Sequence, residues 1–125
     1  MGDRLPRSAR ACLLLGIAAA CGCSQERPVA VAGGDAQRGH AAVLRYGCAA
    51  CHTIPGVPSY GANVGPPLAG IAKRSYLGGV LPNTPDNLVR WLRDPPQVDP
   101  RTAMPKLGVT EADAADIAAF LYGIR

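Results

Sequence analysis

Cys48-Ala49-Ala50-Cys51-His52 constrains this 125-residue chain more than any other stretch. Two thiols separated by two small residues, with an imidazole directly after the second, form the pattern by which a c-type haem is attached. Each thiol closes one thioether bond to a vinyl group. The histidine is then held under the iron, where it ligates through a neutral ring nitrogen. A chain built this way has to wrap the cofactor, supply the opposite ligand and keep water out. Two other chemistries share the pattern. A thioredoxin-like redox pair needs a strand–helix–strand setting, and no strand pattern precedes Cys48. Structural zinc needs four ligands, usually in two pairs, and no Cys or His follows His52.

The length suits one small domain. Three of the five cysteines, Cys12, Cys21 and Cys23, precede residue 24. The remainder therefore holds only the haem pair and has no disulfide framework. One Trp and one Phe make a thin core, which a buried haem would fill. The formal charge of +4 is weighted by Arg4, Arg7 and Arg10 near the start. From Ser24 onward ten Lys and Arg face eight Asp and Glu, leaving +2. These bases are spread among acids, unlike the concentrated patch that nucleic acid requires, so no nucleic-acid partner is expected.

Residues 1–23 read as an export signal. Arginines precede the apolar run Ala11 to Ala20, which is too short to span a bilayer comfortably. Small residues before Cys21 and before Cys23 resemble a bacterial lipoprotein cleavage box, so either cysteine could become the lipidated first residue. Ser24 to Gly34 is polar and small-residue rich, a flexible linker. The domain proper is expected over 35–125, exported to the periplasm, because covalent haem attachment in bacteria is completed outside the cytoplasm.

Within the domain the apolar spacing is helical. Asp35 can cap a helix from Ala36 to about Gly47. His40 lies on it, too near the attachment site to reach the opposite haem face, and reads as solvent-facing. Thr53 to Gly70, rich in Pro and Gly, is a loop long enough to be functional. A carbonyl near Pro66 could accept the second ring proton of His52, and Leu68 could pack on the porphyrin. Leu68 to Leu77 is a short turn or helix. Thr84-Pro85-Asp86 starts a helix that Pro95-Pro96 ends, with Leu88, Trp91 and Leu92 on one face. Met104, in an irregular Pro-flanked segment, is the only methionine besides the initiator and is the candidate opposite ligand. Thr110 begins the last helix, whose buried face would be Ile117, Phe120, Leu121 and Ile124.

From about Gly34 to Arg125 the order of these landmarks resembles a class I cytochrome c, the small His/Met type. The resemblance rests on Gly34-Asp35, Cys48 to His52, Gly65-Pro66-Pro67-Leu68, Lys73-Arg74, Leu88 with Trp91, Thr102-Ala103-Met104-Pro105, and Ile117 with Phe120. It implies an all-α fold, three to four main helices wrapped around one covalently bound haem c, with long loops. By the same resemblance the first and last helices cross closely, with Gly39 facing Phe120. The Pro66 carbonyl accepts from His52, Arg74 helps neutralise a haem propionate, Trp91 lies near the methionine sulfur, and Thr102 is a weaker propionate-side candidate. The family's aromatic before the third helix is missing here, replaced by Leu81-Pro82-Asn83, so Tyr76 or Asn83 would have to help solvate a propionate. The ring of lysines around the haem edge is missing too. The implied function is a single-electron carrier, not an enzyme. Its partners would be redox proteins: a dehydrogenase, a cytochrome complex or a terminal oxidase. It would be a monomer or a complex subunit, with membrane attachment through the N-terminal lipid. A haem c sensor or peroxidase-like enzyme, with a labile Met104, is the alternative.

Overall fold

The computed structural model describes residues 29–59 and 61–125. The stretch expected to be an export signal, with Cys21 and Cys23, lies outside them. Four helices, α1 (Ala36–Arg45), α2 (Pro85–Arg93), the single-turn α3 (Pro95–Val98) and α4 (Glu111–Gly123), are joined by long loops. Two-residue strands, β1 (Tyr76–Leu77) and β2 (Leu81–Pro82), pair antiparallel with Leu77 opposite Leu81. Among the described residues no helix is long and apolar enough to cross a membrane.

Each helix starts where its capping chemistry places it. The Asp35 carboxylate accepts from the Arg38 amide at 2.8 Å, and Thr84 and Thr110 do the same for α2 and α4. α1 stops at Arg45, before Gly47, whose φ of +69° only glycine adopts without strain. That same left-handed residue opens the tight turn Cys48–Ala50, so the end of the helix aims the attachment motif. Pro95-Pro96 ends α2 and also begins α3, because Asp94 accepts from the Gln97 amide and proline is tolerated in a first turn.

α1 and α4 cross at glycines. An added Cβ on Gly39 would lie 2.0 Å from the Asp116 carbonyl oxygen and 2.8 Å from Phe120 Cβ. One on Gly34 would lie 2.5 Å from the Ala115 carbonyl oxygen. Ordered packing begins ahead of Asp35, since Val31 also rests on the core. The crossing is clamped by Asp116, only 5 % exposed. Its carboxylate accepts from the Asp35 amide at 2.7 Å and from the Arg38 guanidinium at 2.7 and 2.8 Å. These hydrogen bonds, the Arg38 ones foremost, hold the Asp116 pKa below its ordinary value against the opposing effect of burial.

The buried set on α4 differs from the expected stripe. Ile117 and Leu121 are buried, but Phe120 and Ile124 are half-buried, and Ala114, Asp116, Ala118 and Tyr122 are inside. α4 packs against both α1 and α2, so two of its faces are covered and a one-face reading fails. The segment Leu68 to Leu77 holds a short 3-10 turn, Ile71–Lys73, and then turns into the β1–β2 hairpin. Strands of two residues are too short to leave a period in the sequence.

Candidate haem cavity

The helices and loops enclose an apolar cavity of about 430 Å³, within the range of small-molecule and cofactor sites. Cys48, Cys51, His52, Pro66, Leu68, Arg74, Trp91 and Met104 all line it. Four separate segments therefore deliver the candidate residues to one place. A second, larger cleft of about 900 Å³ is bounded by α2, α3, the start of α4 and residues 31–33. It is edged by charged side chains such as Arg90, Arg93 and Lys106 and holds none of the candidates. Chemistry favours the smaller, apolar one.

Cys48 and Cys51 lie half-buried on the turn after α1 and form no disulfide with each other. Burial pushes the Cys48 thiol above its ordinary pKa. Among the described residues no cluster of three His, Cys, Asp or Glu is placed to hold a metal ion.

His52 is fixed from three sides. Its Nδ1 lies 2.7 Å from the Pro66 carbonyl oxygen. A carbonyl can only accept, so Nδ1 is the donor of this hydrogen bond, and in the neutral ring it is Nε2 that has the lone pair for a metal. The loop that supplies this carbonyl is tied down on both flanks of the histidine. The Gly65 amide donates to the Cys51 carbonyl at 2.7 Å, and the Leu68 amide to the Thr53 carbonyl at 2.9 Å. Gly65 itself presses on the ring: an added Cβ would lie 2.3, 2.5 and 2.8 Å from Cε1, Nδ1 and Nε2. Nothing in the sequence pattern marks Gly65 for this duty beyond its place before Pro66.

Met104 is half-buried against the core. Its amide donates to the Thr102 hydroxyl at 3.1 Å, and the Thr102 amide to the Asp99 carbonyl at 3.0 Å. Asp99 accepts from the Arg101 amide and side chain, which lower its pKa. Lys106 pairs with Asp94 on the far side. The segment that presents Met104 is thus fixed by its own hydrogen bonds although it has no regular structure. Thr102 also lines the cavity.

Arg74 reaches the cavity edge and donates to the Pro67 carbonyl. Tyr76 is 58 % exposed at the rim. Asn83 does not line the cavity, contrary to its suggested role beside a propionate. Its amide nitrogen donates to the carbonyls of Ile71 and Arg74, both at 2.8 Å, and its oxygen accepts from the Tyr122 hydroxyl at 2.8 Å. Asn83 is a clasp between the 71–74 turn and α4. His40 is likewise not free in solvent: it is half-buried, its Nε2 is 3.2 Å from the Gly56 carbonyl oxygen, and its ring meets Phe120 edge-on at 5.2 Å. It does not reach the cavity.

The donor set fits a covalently held haem. Two thiols, an imidazole with a bare Nε2, a thioether and apolar walls converge on one space. A family model described as cytochrome c matches residues 36–124. Cytochrome c oxidase subunit 2 of Alkalihalophilus pseudofirmus is 29 % identical over 79 residues, which cover 62 % of this chain and 22 % of that protein. The chain thus spans about a fifth of the length of that relative. The solved structure of cytochrome c2 from Rhodobacter sphaeroides superimposes with a TM-score of 0.51 at 20 % identity, over 73 % of this chain and 96 % of that one. The last likeness is one of fold.

Proposed function

The chain belongs to the cytochrome c family, and we propose that it is a single-electron carrier whose haem c is bonded to Cys48 and Cys51 with His52 and Met104 as axial ligands. The observation that carries this is the meeting of His52, Met104, Cys48 and Cys51 in one apolar cavity, with His52 Nδ1 engaged by the Pro66 carbonyl. Haem c, when bound, supplies an iron couple that accepts and returns one electron.

The chain's own residues then do four things. The Pro66 carbonyl holds the Nδ1 proton of His52, fixing the tautomer and strengthening Nε2 as a donor. Gly65 and the two flanking amide bonds keep the imidazole from rotating. Thr102 and the Asp99 turn hold the backbone of Met104, so its thioether stays on station whatever the charge at the centre. Leu68, Trp91 and their neighbours exclude water, and Arg74 offers positive charge at the cavity edge for a propionate. If His52 and Met104 both held the iron, no place would be left on it for a substrate, which is what separates this reading from a sensor or peroxidase.

The wider setting is part of the same proposal. Residues 1–23 direct export, Cys21 or Cys23 carries lipid, and the first part of 24–34 tethers the domain, since Val31 and Gly34 already pack on it. The lipid chains of a bacterial lipoprotein hold a protein at the periplasmic membrane surface where a single chain would not. The likeness to part of a protein named for an oxidase supports a terminal oxidase as electron acceptor.

Optical spectra of the oxidised and reduced protein, made in a host with haem-attachment machinery, test the reading. Low-spin spectra with the weak far-red band of sulfur on ferric iron, and haem that survives denaturation, are expected. Covalent haem that lacks this band and binds carbon monoxide at once would favour the sensor. No covalent haem would refute the proposal.

A further inference from the structure

Gly78 sits in the turn of the β1–β2 hairpin and lines the cavity. The Val80 amide donates to the Leu77 carbonyl at 3.0 Å, and the two residues between them are Gly78 and Gly79, with φ of +54° and +76°. Both belong to the left-handed region that a primed hairpin turn requires. Their surroundings differ. An added Cβ on Gly79 would meet nothing within 4 Å. One on Gly78 would lie 2.4, 2.9 and 2.9 Å from Cη2, Cζ2 and Cζ3 of Trp91. The turn geometry explains why both are glycine, but only Gly78 is also in contact with something.

That contact is with the outer ring of the only tryptophan in the chain, 9 % exposed and itself part of the cavity wall. Leu88 and Leu92 of the same helix, 1 % and 6 % exposed, line the cavity together with Trp91 and Met104. A packed core resists displacement. An indole displaced from the bare Cα of Gly78 therefore disturbs the cavity wall that it shares with Met104.

We propose that Gly78 is a positioning residue of the redox site: its missing side chain seats the Trp91 indole and so sets the wall that faces Met104. The proposal rests on the reading of Met104 as axial ligand. A side chain at position 78 would displace the indole from its seat in the cavity wall, while one at position 79 would strain the same turn and leave the indole alone.

The experiment compares Gly78→Ala with Gly79→Ala, each as the haem-loaded protein, alone and combined with Trp91→Phe. The readouts are the far-red sulfur–iron band and the midpoint potential, with thermal unfolding recorded alongside. Both alanines are expected to lower the melting temperature through turn strain. Only Gly78→Ala should weaken the band and shift the potential. In the Trp91→Phe background, where the outer ring is gone, Gly78→Ala should move neither further, since coupled neighbours are not additive. Equal spectra and potentials for the two alanines would overturn the proposal: the hairpin would then have moved outward in place of the indole. A Gly78→Ala effect that persists undiminished in Trp91→Phe would overturn it as well. Should Gly78→Ala alone fail to accumulate, the double variant has to recover holoprotein, and its failure to do so counts against the proposal. A parent protein without the far-red band would instead refute Met104 ligation, before any variant is compared.

Discussion

Replacing Gly39 by alanine sets a local gain against a tertiary loss, and the geometry decides between them. In an isolated helix the change is favourable by about 1 kcal/mol. Here the new Cβ would lie 2.0 Å from the Asp116 carbonyl oxygen, where real contacts are essentially never under 3.0 Å. The helices must therefore part by about 1 Å, a shift taken from the difference of those two distances. No side-chain rotation relieves it, because the obstacle is main chain. Parting α1 from α4 loosens Val43, Ile117 and Leu121, each no more than 2 % exposed, and stretches the Asp116 bonds to Arg38 and Asp35. Overpacking typically costs about 1–3 kcal/mol, and a main-chain obstacle belongs at the upper end. The net loss is then about 2 kcal/mol after the helical gain. For a domain of this size that corresponds to a fall in melting temperature of roughly 8–16 °C. Thermal unfolding of the haem-loaded protein followed by circular dichroism measures it. Gly123→Ala is the control, since an added Cβ there meets nothing within 4 Å, and it should be neutral or slightly stabilising. A Gly39→Ala melting temperature within about 2 °C of the parent would refute the reasoning, because it would hold the overpacking cost to little more than the helical gain of about 1 kcal/mol, well below the upper end that a main-chain obstacle demands.

Gly65→Ala should leave the thioether bonds intact but displace the His52 imidazole, visible as a weakened low-spin spectrum; an unchanged spectrum would mean the ring is not seated on Gly65. Met104→Ala should keep covalent haem, lower the potential and admit carbon monoxide, and parental values would remove Met104 as ligand. Asp116 has a folded pKa below its unfolded value of about 3.9. Its contribution is complete above that value and disappears as pH falls through the folded pKa. The stability gap between the parent and Asp116→Asn should therefore narrow on acidification below about pH 4 and stay constant near neutrality. Tyr122 is the opposite case: burial raises its phenol from 10.0 to about 12. The neutral form is the one favoured, so its contribution is complete below pH 10 and is lost as pH rises toward 12. The stability gap between the parent and Tyr122→Phe, read by denaturant titration, should stay constant below pH 10 and narrow as pH rises through that window.

Much of this protein is written in short stretches. Cys48 to His52 forms a site because five consecutive residues place both thiols and the imidazole together, whatever surrounds them. Asp35, Thr84-Pro85 and Thr110 begin helices because a cap acts on amides two or three residues away. Leu88, Trp91 and Leu92 share a face through the helical repeat alone. All of these depend on neighbours in sequence, so pattern and chemistry suffice to read them. Other features depend on which surfaces meet. Asp116 is buried only because α1 brings Arg38 and the Asp35 amide to it. Asn83 is a clasp, not a cavity residue, because the 71–74 turn and Tyr122 of α4 converge on it from two distant parts of the chain. His40 owes its surroundings to the Gly56 loop and Phe120. Gly65 and Gly78 look like ordinary loop glycines until the His52 and Trp91 rings are laid against them. The sequence by itself determined the haem motif, its helical frame and a single candidate for the opposite ligand. Only the tertiary structure decided how firmly each ring is held, because close contact between remote segments is a property of packing and leaves no periodic trace along the chain.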